Sequence, residues 1–370
     1  MTLGGPSSIL VTGSTGLVGG AVALQYLATT DAVLYCLTRG GTRDEARDRS
    51  VAALTTAVHA YQQHDLLAEI AHRVRGVAGD VASDPHGYDG LPRAVDLVLH
   101  AAASLKFADR DVAEINRVNV DGTANIVALA QRLNSARLCH VSTAYVAGTQ
   151  QGEIDENSAP TATFNNAYEH SKLEAEKITS RSNLNFQIVR PSIVVGDSRT
   201  LAVTSFSGMY GMVDEVRRFK AKVADRLGFL LQHRGIKILA DPTMPVNLIP
   251  VDYVARVIAQ LSLVDTTATT FHVTNSAPPG AGMCLDAGFE LLGLPRPTFV
   301  DRPEQLNELD RQLQTDFYDS YLRNGKRFSV KNTESVCGPG CLDFPIDQHM
   351  LTSLLSWYLK SGNRKGGRLT

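Results

Sequence analysis

The feature that most constrains the fold is a glycine-rich turn that separates an apolar run from a helix-prone stretch near the N-terminus. The apolar residues 9–11 and Thr12 lead into Gly13-Ser14-Thr15-Gly16-Leu17-Val18-Gly19. Glycines at this spacing permit a tight turn, leave room for a pyrophosphate beside the helix amides, and let strand and helix pack closely. A strand, this turn and a helix in that order predict a dinucleotide-binding βαβ unit in which Gly13 to Val18 contact the ligand.

Short apolar runs rich in β-forming residues alternate with helical patterns through the first half of the chain. The runs lie at residues 8–12, 32–38, 74–77, 97–100, 138–142 and 186–190. Strands that alternate with helices are typical of a parallel sheet covered by helices on both faces. We therefore expect an α/β fold, a doubly wound parallel Rossmann sheet, with a nucleotide-binding domain over residues 1–196.

The regular alternation ends at Gly196. Residues 197–235 combine Phe, Tyr and Met with many Lys and Arg, which favours helical structure that handles substrate. Sheet-like runs return near 236–275, and a polar, helix-prone stretch follows. We expect a smaller, mostly helical substrate-binding region over 197–360 and a flexible basic tail over 361–370.

Composition excludes several classes of function. The 370 residues are 44% hydrophobic and 20% charged, and the net charge of −2 provides no whole-chain attraction to nucleic acid. The most apolar stretch, residues 95–103, is interrupted by Asp96 and His100 and is far too short to span a membrane. Five scattered cysteines and a start without signal-peptide features predict a cytoplasmic protein. Cys337 and Cys341 could form a redox or metal half-site, but no second Cys/His pair follows at the spacing of zinc ligands, so a turn is the simpler interpretation. The histidines also lack metal spacing, and no metal is expected.

The end of the second predicted strand indicates which dinucleotide is bound. An NAD-selective site usually places a carboxylate there for the ribose hydroxyls, whereas this chain has Arg39. The Arg39 guanidinium suits the 2′-phosphate of NADP, with Arg49 and Arg43 as further candidates. We therefore expect NADPH as the cofactor, and a solvated basic turn is the alternative interpretation.

Two further strand ends carry candidate cofactor contacts. Asp80 and Val81 follow a predicted strand at a position where the adenine amino group could be recognised. The small residues Ala101, Ala102 and Ala103 follow the next strand and would let the backbone approach the cofactor closely.

The strongest indication of chemistry is the pair Tyr168 and Lys172. Four residues apart on a helix, they share one face. A phenol has an ordinary pKa near ~10, so we expect the Lys172 ammonium to stabilise its phenolate while also binding the nicotinamide ribose. Thr143, at a separate strand end, can donate a hydrogen bond to a substrate oxygen, and Tyr168 can then deliver a proton after hydride attack.

Five motifs together resemble the extended short-chain dehydrogenase/reductase superfamily over roughly the first two hundred residues. They are Thr12 to Gly20, Asn119 to Thr123, Ser142-Thr143, Tyr168 to Lys172, and Arg190-Pro191-Ser192. The resemblance implies that Asn119 helps hold Lys172 through a water molecule. It also implies that Pro191, Ser192 and Ile193 face the nicotinamide.

Further stretches are similar to the fatty acyl-CoA reductase, carboxylic acid reductase and thioester reductase branch. They are residues 100–103, 141–148, 196–200, 250–255 and 321–322 with Phe328. This similarity implies hydride transfer from NADPH to an acyl thioester, giving an aldehyde and, after a second hydride, an alcohol. Neither an adenylation nor a carrier domain fits in this length, so the thioester would arrive on coenzyme A or on a separate acyl or peptidyl carrier protein.

The chain departs from the pattern of that branch at two places. Leu201 replaces the usual glycine after Arg199-Thr200, and residues 217–237 are unusually basic. The cations in this segment could meet coenzyme A phosphates or an acidic carrier-protein helix, whereas a solvated helix face is the simpler interpretation. They include Arg217, Arg218, Lys220, Lys222 and Arg226.

Three other functions are compatible with the same motifs. A sugar-nucleotide epimerase or dehydratase uses the same three catalytic residues but retains NAD, which Arg39 disfavours. An NADP-dependent alcohol or ketone dehydrogenase of the hydroxysteroid kind performs the same chemistry on a different carbonyl. A non-catalytic dinucleotide sensor would not need Thr143, Tyr168 and Lys172 together.

Overall fold

The computed structural model describes residues 5–158, 163–206, 208–233, 235–313 and 325–364. Within them, a seven-stranded parallel sheet forms the centre of the molecule. Its strands are β1 Ser8–Thr12, β2 Val33–Thr38, β3 Val74–Ala78, β4 Leu97–His100, β5 Arg137–Val141, β7 Phe186–Pro191 and β11 Thr270–Val273. The order β3-β2-β1-β4-β5-β7-β11 confirms the predicted doubly wound Rossmann sheet.

Strand β1 lies at the point where the strand order reverses. Ile9 pairs with Leu34 of β2 on one side and with Leu97 of β4 on the other. In open α/β sheets, ligands bind beyond the carboxyl ends of the strands at this reversal. The fold therefore opens a crevice directly above Thr12.

Helices cover both faces of the sheet. One face carries α1 Leu17–Thr29, α2 Arg43–Tyr61, α3 Leu66–Arg73 and α8 Val251–Leu263. The other carries α4 Val112–Asn116, a π-helical turn Arg117–Asp121, α5 Gly122–Arg132 and α6 Ala167–Ser180. Because alternate residues of a strand point to opposite faces, Ile9 and Val11 join the core below α1, while Leu10 joins the core below α5.

The chain after residue 196 builds a second core and also completes the sheet. Three short parallel strand pairs join β8 Ile193–Val195 to β10 Leu248–Pro250, β9 Lys237–Leu239 to β12 Thr298–Val300, and β6 Gly152–Ile154 to β13 Lys326–Phe328. Helices α7 Met209–His233, α9 Ala281–Leu291 and α10 Glu308–Leu313 surround them, with the helices Lys331–Cys337 and Gln348–Arg364. Strand β11 and helix α8 return to the Rossmann layers, so the sheet elements expected near 236–275 belong partly to the main sheet.

The last helix extends into the segment that the sequence predicts as a flexible basic tail. The last helix continues to Arg364, and residues 365–370 lie outside the described part of the chain. Among the described helices, none is both long and apolar enough to cross a bilayer.

Leu201 occupies a backbone conformation that explains why a glycine is usual there. Its φ is 62°, in the left-handed region, and its amide donates to the Asp197 carbonyl in a tight turn. Asp197 itself is buried, and its carboxylate accepts the amides of Arg199 and Thr200. The motif at 196–200 is therefore a structural turn.

A buried ion pair holds α6 on the sheet. Glu176 of α6 and Arg190 of β7 form two parallel hydrogen bonds, of 2.9 and 2.7 Å, and their side chains are 5% and 8% exposed. Two such bonds fix both the distance and the rotation of the helix relative to the strand. Glu174, on the outer side of α6, instead pairs with Lys177 at 2.8 Å where the side chains are 36% and 44% exposed.

These two glutamates provide a matched test of what anchors α6. Replacing Glu176 by Gln leaves the Arg190 guanidinium buried without a counter-charge, so we expect Glu176→Gln to lower the free energy of unfolding by about 3–5 kcal/mol. Glu174→Gln removes an exposed ion pair and should change the free energy of unfolding by about 0–1 kcal/mol. Urea denaturation of both variants measures the difference, and equal effects would show that α6 is anchored by other contacts.

Candidate active site

The glycine turn packs directly against the end of β4. Gly13 has a φ of 74°, and a Cβ built on it would lie 2.7 Å from both the Ala101 carbonyl carbon and the Ala102 nitrogen. The Thr12 hydroxyl oxygen accepts the amides of Ala101 and Ala102 at 3.2 and 3.1 Å. Only glycine fits at residue 13, because the two strand ends approach too closely for a side chain.

The turn leads into a helix start that is open to an anion. Helix α1 begins at Leu17, and no side chain caps its first amides. Thr15 and Gly16 are exposed beside it, and Leu17 and Val18 are partly buried. Uncapped helix amides and the helix dipole attract a phosphate group. Ser14 differs from the other residues of the turn, because its side chain is buried and its hydroxyl lies 3.5 Å from that of Ser50. Only the backbone of Ser14 therefore faces the turn.

A buried hydrogen-bonded chain runs from Thr12 through His100 and Thr123 to Asn119. Thr123 donates to the Asn119 carbonyl at 2.6 Å, so its oxygen accepts from His100 Nε2 at 3.1 Å. Burial, assisted by the charge of Lys172, lowers the pKa of His100 to about 3. The ring is therefore neutral, and its Nδ1 accepts from Thr12 at 2.8 Å.

The two arginines predicted to select NADP lie together at the end of β2. Arg39 and Arg49 are exposed, and the Arg49 guanidinium donates to the main-chain carbonyl of Arg39. That bond orients Arg49 over the same turn. Both cations therefore border the crevice next to the glycine turn.

The remaining predicted nucleotide contacts lie at the ends of β3 and β4. Asp80 is partly exposed, and its Oδ1 accepts the Ala82 amide at 3.0 Å. Val81 is buried and packs against Gly122, the first residue of α5. Residues 101–103 are partly exposed at the neighbouring strand end. All of these residues lie along the same carboxyl edge of the sheet as Gly13.

Lys172 connects the catalytic helix to the end of β5. Its Nζ donates to the Val141 carbonyl at 2.7 Å, two residues before Thr143. The side chain is buried, and burial lowers its pKa to about 8, although the charge of Glu176 acts in the opposite direction. A lysine with this pKa is charged at neutral pH and has further hydrogen atoms to donate.

Tyr168 and Thr143 have complementary hydrogen-bonding roles. The Thr143 oxygen accepts the Tyr145 amide at 3.2 Å, which leaves its own proton to donate. Burial and then the charge of Glu169 raise the pKa of the Tyr168 phenol. Burial therefore favours the neutral phenol, and the stabilisation of a phenolate by Lys172 stays a prediction. A phenol that remains protonated is suited to deliver a proton.

Asn119 lies in the π-helical turn between α4 and α5, a form often found at functional sites. Its side-chain oxygen accepts the Ser104 amide at 2.7 Å, and its Nδ2 donates to Ser171 at 2.9 Å. It thus connects the loop after β4 to the catalytic helix. The water-mediated contact with Lys172 stays a prediction.

The segment expected to face the nicotinamide connects the sheet to the C-terminal region. Pro191 ends β7, Ile193 begins β8, and Ser192 between them donates to the side-chain oxygen of Asn247 at 2.6 Å. Asn247 also donates to the Asn275 carbonyl at 2.8 Å. Asn247 carries no local sequence signal, because only the fold brings it to this position.

Three other buried groups near the catalytic residues had no sequence signal of function. They are Glu169, Lys326 and His140, which are 0%, 4% and 0% exposed. The two ring nitrogens of His140 have no hydrogen-bond partner among the described residues, and its ring centroid lies 5.2 Å from that of His100. Burial, with the charge of Lys172, lowers the pKa of His140, so it is neutral. In the described part of the chain, no group of His, Cys, Asp or Glu is arranged to hold a metal.

The basic residues of α7 are largely paired within the protein. Arg217 contacts Asp214 at 2.8 Å, Arg218 contacts Glu215 at 3.8 Å, and Lys220 donates to the Leu292 carbonyl at 2.5 Å. Such pairing favours a solvated helix face over a cluster of unpaired cations that would bind phosphate groups. The side chain of Arg226 lies outside the described residues, whereas Lys222 is exposed.

Two relatives illustrate what the chain is similar to. Over 382 residues it is 25% identical to a linear gramicidin synthase polypeptide of Brevibacillus parabrevis, a match that covers 95% of this chain and 7% of that protein. It is 29% identical over 168 residues to the probable fatty acyl-CoA reductase 5 of Arabidopsis thaliana, covering 40% of this chain and 33% of that protein. The chain therefore spans a small part of the length of these relatives.

The fold is shared with a solved structure of a thiolation-reductase di-domain from an archaeal non-ribosomal peptide synthetase. The TM-score is 0.71 with 20% identity, over 97% of this chain and 91% of that one. In sequence, residues 11–258 match the NAD-binding family described as male sterility protein. This match includes the glycine turn, Thr143, Tyr168 and Lys172, and the chain belongs to that family.

Proposed function

We propose that this protein is an NADPH-dependent reductase that converts an acyl thioester to an aldehyde. The observation that carries the proposal is the contact of Lys172, four residues after Tyr168 on helix α6, with the end of β5 two residues before Thr143. This contact lies at the edge of the sheet where the glycine turn opens to an anion. Membership of an NAD-binding family supports an oxidoreductase. Similarity to a fatty acyl-CoA reductase and to a thiolation-reductase di-domain supports a thioester as substrate.

The residues present fit the cofactor, because the helix start is uncapped and a side chain at Gly13 would obstruct the turn. When bound, NADPH supplies the hydride. Residues 13–18 would hold its pyrophosphate, and Arg39 with Arg49 its 2′-phosphate. Asp80 and Val81 would border the adenine, and residues 101–103 would contact its sugar and phosphates. Lys172 would bind the nicotinamide ribose, with residues 191–193 beside the ring.

Proton transfer falls to Tyr168. As the carbonyl carbon accepts hydride, negative charge develops on its oxygen, and the Thr143 hydroxyl donates to that oxygen. Tyr168 then protonates it, giving a hemithioacetal, and the Lys172 ammonium stabilises the phenolate that remains. In the reverse proton movement, Tyr168 takes the hydroxyl proton back as the C–S bond breaks. The products are an aldehyde and a thiolate, which takes a proton from solvent.

The carrier of the thioester is either coenzyme A or a separate acyl or peptidyl carrier protein. The similarity to a thiolation-reductase di-domain supports the carrier protein. A second round with another NADPH would reduce the aldehyde to an alcohol at the same three residues. The five cysteines are free, which supports a reducing cytoplasm as the place of reaction.

Two other enzyme classes are separated from this proposal by their products. An alcohol or ketone dehydrogenase would oxidise NADPH without releasing a thiol. A sugar-nucleotide epimerase or dehydratase would retain NAD and show no net oxidation.

The first test follows NADPH oxidation and thiol release together, with acyl-coenzyme A and acyl-carrier thioesters as substrates. We expect matched oxidation and thiol release, and a second equivalent of NADPH where the alcohol forms. Tyr168→Phe removes the proton donor, so kcat should fall about 10²–10⁴-fold while NADPH still binds. Tyr253→Phe, on helix α8, is the control and should retain full activity. NADPH binding without thiol release would reassign the protein to the alcohol or ketone dehydrogenases.

Cofactor choice is tested at Arg39. Loss of a charge-assisted contact to the 2′-phosphate should cost about 1.5–3 kcal/mol, so Arg39→Ala should weaken NADPH binding about 10- to 150-fold. Binding of NADH, which lacks this phosphate, should not change. Fluorescence titration gives both dissociation constants, and the exposed Arg302 provides the control variant Arg302→Ala. An equal loss of affinity for both cofactors would mean that Arg39 does not contact the 2′-phosphate.

The pH profile should report Lys172. Its pKa of about 8 means that the side chain is charged below pH 8 and loses that charge as the pH rises. Because Tyr168 has a raised pKa, it remains protonated over the same range. We therefore expect kcat/KM to be level near pH 7 and to decline above about pH 8. If kcat/KM stays level to pH 9.5, activity does not depend on the charge of Lys172.

A further inference from the structure

Lys326 lies on a short strand that packs against the catalytic turn. It pairs with Gly152, and Phe328, two residues later on the same face of β13, pairs with Ile154. Ile154 and Phe328 form an apolar group with Ala144 and Ala147, the first and last residues of the helical turn that follows Thr143. Strand β13 therefore lies on the substrate side of the site, away from the cofactor turn.

Neighbouring contacts locate Lys326 more closely. The Phe328 ring centroid is 5.8 Å from that of Tyr145, two residues after Thr143. On the other side, a Cβ on Gly325 would clash with the sulfur of Met244, in the loop that leads to β10 and Asn247. Lys326 is thus enclosed by elements that border the catalytic threonine and the residues after β7.

As a residue, Lys326 is almost fully buried. It is 4% exposed, and no hydrogen bond or ion pair joins its ammonium to another residue in the described part of the chain. Burial lowers its pKa, and the charge of Glu169 opposes that change. An unpaired buried charge lowers stability, so its presence calls for a ligand or another function.

Glu169 is the nearest candidate for a structural counter-ion, but it is already bonded elsewhere. Its carboxylate accepts the Asn165 amide at 2.9 Å and the Asn165 side chain at 3.0 and 3.1 Å. Its charge acts on Lys326 and also on the adjacent Tyr168. Glu169 thus lies within electrostatic range of both Lys326 and the Tyr168 phenol.

We propose that Lys326 is a substrate-binding residue whose ammonium takes an oxygen acceptor of the acyl thioester beside the reacting carbonyl. The inference rests on the proposed function and deepens it. The acceptor is a carbonyl or carboxylate oxygen, which a buried ammonium binds strongly because the surroundings have a low dielectric constant. Its source is either the acyl group or the amide of a pantetheine arm.

The test compares Lys326→Met, which retains the length of the side chain and removes its charge, with Arg327→Met. Arg327 is the adjacent residue on the exposed face of the same strand. For Lys326→Met we expect KM for thioesters to rise at least tenfold, with NADPH affinity unchanged. The melting temperature should stay level or rise, because an unpaired buried charge has been removed. Arg327→Met should alter none of these quantities.

A panel of pantetheine thioesters with acetyl, succinyl and N-acetylglycyl groups identifies the acceptor. If KM rises equally for all three compounds, Lys326 binds the pantetheine arm. If KM rises only for the succinyl or N-acetylglycyl compound, Lys326 binds the acyl group. Both results support the inference. An unchanged KM throughout, or a fall in melting temperature with unchanged KM, overturns it and makes Lys326 a counter-ion of Glu169.

Equilibrium binding separates failure of this inference from failure of the proposed function. If the wild-type protein reduces no thioester, calorimetric titration of the same compounds replaces KM as the readout. Weaker binding to Lys326→Met than to the wild type would then still support the subsite, although thioester reduction had failed. Equal binding would overturn it.

Discussion

The close contact between the Gly13 turn and the end of β4 is the constraint on which the rest of the structure depends. Thr12 accepts two amides from β4, and the absence of a side chain at Gly13 lets the two strand ends meet. This contact lies where the strand order reverses, so it fixes where the crevice opens and where helix α1 begins. The same threonine donates to His100, whose chain of hydrogen bonds reaches Asn119 and, through Ser171, the catalytic helix. Cofactor turn and catalytic helix are thereby parts of one buried network.

Helix α6 is placed by charged contacts that are buried. Lys172 donates to the end of β5, and Glu176 is held by Arg190 of β7. Burying these charges is unfavourable unless each is satisfied, so the helix has little freedom to shift relative to the strands. Apolar packing alone would tolerate small rotations, whereas two bonds to one guanidinium do not. Because Tyr168 lies in the first turn of this helix, the same contacts also fix its position.

Patterns within single elements predict the sheet, which the structure confirms, and the candidate catalytic residues, which stay a prediction. The glycine spacing after β1, the alternating apolar runs, and the four-residue interval between Tyr168 and Lys172 each express the geometry of one element. Ser14 shows the limit of such reasoning, because the turn buries its side chain against Ser50. Leu201 shows the same limit, since its left-handed backbone conformation is visible in the structure and not in the sequence. The raised pKa of Tyr168 depends on burial, and Lys326 comes from a strand more than 150 residues further along the chain. Such features arise from tertiary packing, which no single stretch of sequence encodes.

The two halves of the site come from different parts of the chain, and this division bears on specificity. The cofactor side is built almost entirely from strand ends before residue 193, where backbone amides and small residues prevail. The opposite side is formed by later segments that meet through Asn247 and strand β13. In the proposed mechanism, the roles of Thr143, Tyr168 and Lys172 suit any carbonyl, so these residues do not distinguish a thioester from a ketone. Discrimination therefore has to come from groups on the later segments that bind the substrate beside the reacting carbon. A buried ammonium is well suited to this task, because a substrate that cannot supply an oxygen acceptor leaves its charge unsatisfied.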